Sequence, residues 1–151
     1  MARQKAGSRS SGPPAPSTPR DGQEGVSPVE ELLQQGARAI EEYDYELART
    51  TLTRAFELSN GAETTARALL LLLVDHLAAD QEALEINSRL SHEARDSPEV
   101  QFALARAAAR SGDPRRARAC MARLNGTAAA EVLVMLVEAA LSAGEFDEAT
   151  R

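Results

Sequence analysis

Gly144-Glu145-Phe146-Asp147-Glu148-Ala149 sets a turn glycine, an aromatic and an acidic first turn ahead of an alanine. A related arrangement recurs upstream. Tyr45-Glu46-Leu47 precedes Ala48, Asp80-Gln81-Glu82 precedes Ala83, and Asp113-Pro114-Arg115-Arg116 precedes Ala117. The four alanines lie 35, 34 and 32 residues apart. Self-similarity at such a period marks stacked supersecondary units, none of which can bury its apolar face alone.

The punctuation between these alanines is helical. Ser27-Pro28-Val29-Glu30 reads as a capping box with proline at the first helical position. Asn60-Gly61, Asp96-Ser97-Pro98, Ser111-Gly112-Asp113-Pro114, Asn125-Gly126 and Gly144 are breakers suited to helix ends. The spacing predicts helices near 28–42, 45–58, 62–78, 80–94, 98–110, 114–124 and 128–142, and from about 146 onward. No alternating stretch flanked by turn residues predicts a strand. Short helices joined by short turns form a chain of αα-hairpins. Aromatic residues are 3% of the chain and tryptophan is absent, so small and aliphatic side chains must fill the core. Helix-on-helix packing suits that composition better than a sandwich rich in aromatics and β-branched residues.

Residues 1–27 are a separate zone, with four of the seven prolines, four of the nine glycines and many serines. Such a segment buries too little apolar surface to offset its ordering entropy, which predicts a disordered tail. Its formal charge is +2, against a total of −6, so the remainder carries −8. Pro13-Pro14-Ala15-Pro16 and Pro16-Ser17-Thr18-Pro19-Arg20 read as a solvated tract, with a polyproline-II ligand or a phosphosite at Thr18 as the functional alternatives.

Residues 28–151 resemble the tetratricopeptide repeat, a helix–turn–helix unit of 34 residues. The resemblance implies an all-α fold, a right-handed α-solenoid of about four antiparallel hairpins, the last incomplete at residue 151. The family's small position in the first helix falls on Gly36, Leu71, Ala105 and Val137, of which the second and fourth depart from the pattern. The alanine of the second helix is present in all four units. The next small position is Ala55 in unit one, but Leu90 and Leu124 in the following two. The family's tryptophan is absent, and Asn60 and Arg95 stand where its terminal proline would be.

The resemblance also implies a function: a non-catalytic scaffold or adaptor that holds a peptide or partner helix in a groove lined by first helices. The residues it places there are Leu33 and Ala37; Ala68, Leu72, Asp75 and His76; Phe102, Arg106, Ala109 and Arg110; Val134, Glu138 and Leu141. The expected peptide-binding set is Leu72, Asp75, His76, Phe102, Arg106, Arg110 and Glu138, with Leu72 and Phe102 as apolar contacts. Arg106 and Arg110 lie one helical turn apart, and paired guanidiniums can hold a carboxylate or phosphate. The alternative for them is a solvated basic face, since the chain has 16 Arg and one Lys. The clamp by which some family members grip acidic chaperone tails is not expected, because Leu33, Ala37, Leu69, Glu99 and Ala103 occupy its positions.

Catalysis is not expected. Asp75 and His76 are adjacent, and adjacent helical residues do not face each other. Cys120, the single cysteine, reads as a packed thiol and excludes an internal disulfide. No phosphate loop, metal-ligand spacing or nucleophile elbow occurs, so no cofactor or metal is expected. The apolar run from Leu69 to Val74 is far short of a membrane span. With no secretory signal in view, the cytoplasm is the expected location. Two alternatives stand beside the adaptor. One is a regulatory N-terminal module of a longer enzyme or signalling protein. The other is nucleic-acid binding through Arg106–Arg123, a stretch of net +5 that the acidic remainder and missing aromatic platforms disfavour. Self-association through residues 128–151 is a further expectation.

Overall fold

A computed structural model of the chain describes residues 26–124 and 126–142. The expectations for residues 1–25, for Asn125, for the Gly144–Ala149 string and for a helix from 146 lie outside the described residues. Among the described residues the chain is all-helical and has no strand. None of these helices is long and apolar enough to cross a membrane.

The first hairpin is α1 (Pro28–Glu41) and α2 (Tyr45–Leu58). α1 begins as the capping box predicts. The Ser27 backbone N–H donates to Glu30 Oε2 at 3.1 Å, and the Glu30 N–H donates to Ser27 Oγ at 3.4 Å. Asp44 caps α2 by accepting from the Leu47 N–H at 3.1 Å. Gly36 is buried against α2, with a Cβ built there falling 2.5 Å from Leu52 Cδ2.

The second hairpin departs from the expected pair of regular helices. α3 (Glu63–Leu71) runs into a π-helical turn at Leu72–His76 instead of continuing to 78. The Leu77 N–H reaches back five residues to the Leu72 carbonyl, and the Ala79 N–H six residues to Leu73. A π-turn accommodates one extra residue in a helix. That residue changes the register: Leu70 is fully buried while Leu71 is 49% exposed, so Leu71 does not hold the buried small-residue position assigned to it. The run of leucines concealed this, because an all-apolar stretch carries no period.

The expected helix 80–94 is broken. α4 (Asp80–Ile86) tightens into a 3-10 turn at Asn87–Arg89, Leu90 is extended, and α5 (His92–Asp96) starts afresh from Ser91. Ser91 Oγ accepts from the Ala94 N–H at 3.1 Å, and the Ser91 N–H donates to the Gly61 carbonyl at 2.9 Å. The break thereby sits on the α2–α3 turn and buries Leu90.

α6 (Pro98–Arg110), α7 (Pro114–Met121) and α8 (Gly126–Ser142) follow. Asp113 caps α7 as Asp44 caps α2. Ala48, Ala83 and Ala117 are all fully buried, so the repeating alanine marks helix contacts in each of the three described units. α6 packs against α3, α4, α7 and α8 and contributes Val100, Leu104, Ala105, Ala107, Ala108 and Ala109 to one continuous core. α8 buries only Val132 completely and exposes Leu133, Val134 and Leu141.

Candidate functional site

Five of the seven predicted residues gather where the π-turn meets α6. Arg106 Nη1 lies 2.7 Å from Asp75 Oδ1, and the Arg106 guanidinium carbon sits 5.5 Å from the centre of the Phe102 ring. Arg110 grips Asp80 through both Nε and Nη2, with Nε donating to Oδ2 at 3.0 Å. Its Nη2 also donates to the Val74 carbonyl at 2.6 Å. The hydrogen bond to Asp80, with the charges of Asp80 and Asp75, holds the Arg110 guanidinium above its ordinary pKa against the opposing effect of burial. His76 is exposed and stacks at a tilt on Tyr45, with ring centres 5.4 Å apart.

Two residues do not join the cluster. Leu72 is fully buried and belongs to the core, so it cannot be an apolar contact for a partner. The residue inserted at the π-turn puts the assigned frame off by one, and Leu72 falls on the buried face of Thr65 and Leu69, beside Leu73 and Val74. Glu138 is exposed on α8, and no contact ties it to the Arg106 cluster among the described residues. Of the further groove positions, Ala109 is also buried, while Val134 and Leu141 are exposed. Leu69, one of the clamp positions, is a core residue.

Sequence reasoning did not supply Tyr45, Asp80 or the Val74 carbonyl. Asp80 and Val74 lie 30 and 36 residues from Arg110, a separation at which no local pattern operates. The tyrosines had a signal: the chain's only two sit inside Glu41-Glu42-Tyr43-Asp44-Tyr45-Glu46.

The arginine-rich stretch largely faces acceptors of the preceding hairpin. Besides Arg106 and Arg110, Arg116 donates to the Leu84 carbonyl at 2.5 Å and Arg123 to the Arg95 carbonyl at 3.0 Å. Four of its six guanidiniums thus join the third hairpin to the second, and only Arg115 and Arg118 show no such acceptor among the described residues. Cys120 is buried, which pushes its thiol above the ordinary range although Arg116 and Arg123 lie nearby.

Against known proteins, the chain matches no family model, no curated protein and no solved structure.

Proposed function

We propose that the chain is a tetratricopeptide-like α-solenoid that acts as a non-catalytic adaptor, binding a peptide or partner helix on the face carrying His76, Asp75, Phe102 and Arg106. The observation that supports this most is the Asp75–Arg106–Phe102 set beside the His76–Tyr45 stack. It places an acid, a guanidinium and aromatic surface together at partly exposed positions, with Asp75 and Arg106 side chains 29% and 24% exposed. Arg and aromatic side chains are the usual anchors of protein interfaces. Arg106 Nε is buried without an acceptor among the described residues. A ligand carboxylate that re-orients the guanidinium gains a hydrogen bond that the free protein lacks.

A nucleic-acid backbone recruits many cations at once, and Arg106, Arg110, Arg116 and Arg123 are each already bonded to the preceding hairpin, which argues against nucleic acid. Arg110, with its Asp80 and Val74 partners, serves the packing of α6 more than a ligand. The test is peptide display on the folded chain, followed by affinity measurements on the enriched peptide with Phe102→Ala and Arg106→Gln. Each variant is expected to weaken binding at least about tenfold, a loss of roughly 1.4 kcal/mol. Arg54→Gln on α2 is the control. Unchanged affinity in both variants, with helicity retained, would overturn the assignment.

A further inference from the structure

The aromatic side chains of this chain are few, and their placement is uneven. Tyr43 is 79% exposed at the tip of the α1–α2 turn. Its ring meets that of Tyr45 edge-on at 6.3 Å, and Tyr45 stacks on His76 at 5.4 Å. The three rings form a strip running from the first hairpin onto the second. The strip is rigidly held. Tyr43 has φ +60°, its N–H donates to the Ile40 carbonyl at 3.1 Å, and the next N–H, of Asp44, donates to Ala39 at 2.9 Å. A bulky residue in the left-handed region is uncommon and costs conformational energy, so the turn displays this ring at a price in stability. Glu41, Glu42, Asp44 and Glu46, the sequence neighbours of the two tyrosines, are all exposed.

We propose that the chain's own Pro13–Arg20 segment docks in cis on the Tyr43–Tyr45–His76 strip. Three observations select this occupant. The first is chemical: Pro13-Pro14-Ala15-Pro16-Ser17-Thr18-Pro19 favours a polyproline-II helix, the conformation that aromatic-lined surfaces bind at low entropic cost. The second is charge: Arg9 and Arg20 flank the prolines, and the two tyrosines lie among the exposed carboxylates Glu41, Glu42, Asp44 and Glu46 in sequence. The third is reach. At ~3.3 Å per residue the chain from Arg20 to Pro28 spans up to about 26 Å. The 14 residues of α1 cover about 21 Å at 1.5 Å each. A tail that turns back along α1 therefore arrives at Tyr43, at the far end of that helix. Docked there, it covers His76 and competes with any ligand that uses the neighbouring Asp75–Arg106 face. The docking itself does not depend on that ligand.

The test uses the full chain with Ser17→Cys carrying a nitroxide, since the buried thiol of Cys120 reacts slowly. Amide resonances of Tyr43–Leu47 and His76 are expected to broaden several-fold more than those of Arg118 on α7. Replacing Pro13, Pro14, Pro16 and Pro19 together by Ala touches no residue of the described helices, and should abolish the difference. The chain has no tryptophan and both of its tyrosines lie on the strip, so tyrosine emission should change in the same proline variant. Uniform broadening, broadening that survives the proline variant, or broadening that grows with protein concentration would overturn docking in cis.

Discussion

Gly61 and Gly112 share φ +71°, yet their surroundings differ completely. A Cβ on Gly112 meets nothing within 4 Å. A Cβ on Gly61 falls against the Arg89 carbonyl oxygen, well inside van der Waals contact, and 3.1 Å from Leu90 Cα. Gly112→Ala therefore bears only the left-handed backbone cost, about 1 kcal/mol. Ala78 already shows that alanine can hold such a conformation here, at φ +49°. Gly61→Ala bears the same cost and must also push the Arg89–Leu90 backbone away. That backbone has no rotamer to escape into. Moving it stretches the Ser91 N–H bond to the Gly61 carbonyl, about 1 kcal/mol. It also loosens the burial of Leu90, about 1 kcal/mol more. The expected totals are about 3 kcal/mol for Gly61→Ala and about 1 for Gly112→Ala. Urea unfolding followed by circular dichroism separates them: at a slope near 2 kcal/mol/M, the midpoints differ by about 1 M. Asparagine sharpens the comparison, because it tolerates positive φ but still has a Cβ. Gly112→Asn should be near neutral and Gly61→Asn should remain damaging. Equal midpoints for the two alanine variants would refute the idea that the break at residues 87–91 is pinned to the α2–α3 turn.

Other substitutions probe other contacts. Gly36→Ala should destabilise by about 1–3 kcal/mol through collision with the buried Leu52, and Leu52→Val should recover part of the loss in the double variant. Arg110→Ala should cost about 1–2 kcal/mol in urea unfolding, and Arg110→Lys should not restore it, because an ammonium cannot span both Asp80 oxygens and the Val74 carbonyl. A double-mutant cycle between Asp75→Asn and Arg106→Gln should give a coupling of roughly 0.5–1 kcal/mol that shrinks with added salt, as both side chains are part-exposed. The Cys120 thiol is raised by burial, so the folded state disfavours its thiolate. Stability should hold through neutral pH and fall as pH rises past the ordinary thiol range near about 8.5, and Cys120→Ala should flatten that alkaline decline.

Helix starts were legible because capping chemistry is local. Ser27, Asp44 and Asp113 each precede a helix and each cap it as their side chains dictate. The buried alanine was legible too, since Ala48, Ala83 and Ala117 combine a period with a single steric role. The π-turn was not, because Leu69 to Val74 is apolar at every position and an inserted residue leaves no mark on such a run. The break at Leu90 had a faint signal in Asn87-Ser88 and Ser91, all better at helix ends than inside. At the site, the sequence displayed Arg106, Arg110 and Asp75 but concealed which acid each arginine meets. A charge pattern reads along a helix, whereas Asp75 and Asp80 arrive from another hairpin. Leu72 was misplaced for the same reason as Leu71: both assignments assumed an unbroken α-helical register.

The π-turn and Arg110 depend on each other. With Ala78 left-handed, the helix ends and the Val74 carbonyl accepts from the Arg110 guanidinium. An inserted residue and an arginine 36 positions later are thus compensating features. Removing the arginine leaves a backbone acceptor without its partner. Deleting the extra residue turns the following helix by about 100° and takes that acceptor away from the arginine. Neither change is expected to be neutral alone. The turn and the guanidinium therefore form an epistatic pair, in which losing both should cost less than the two single losses added together.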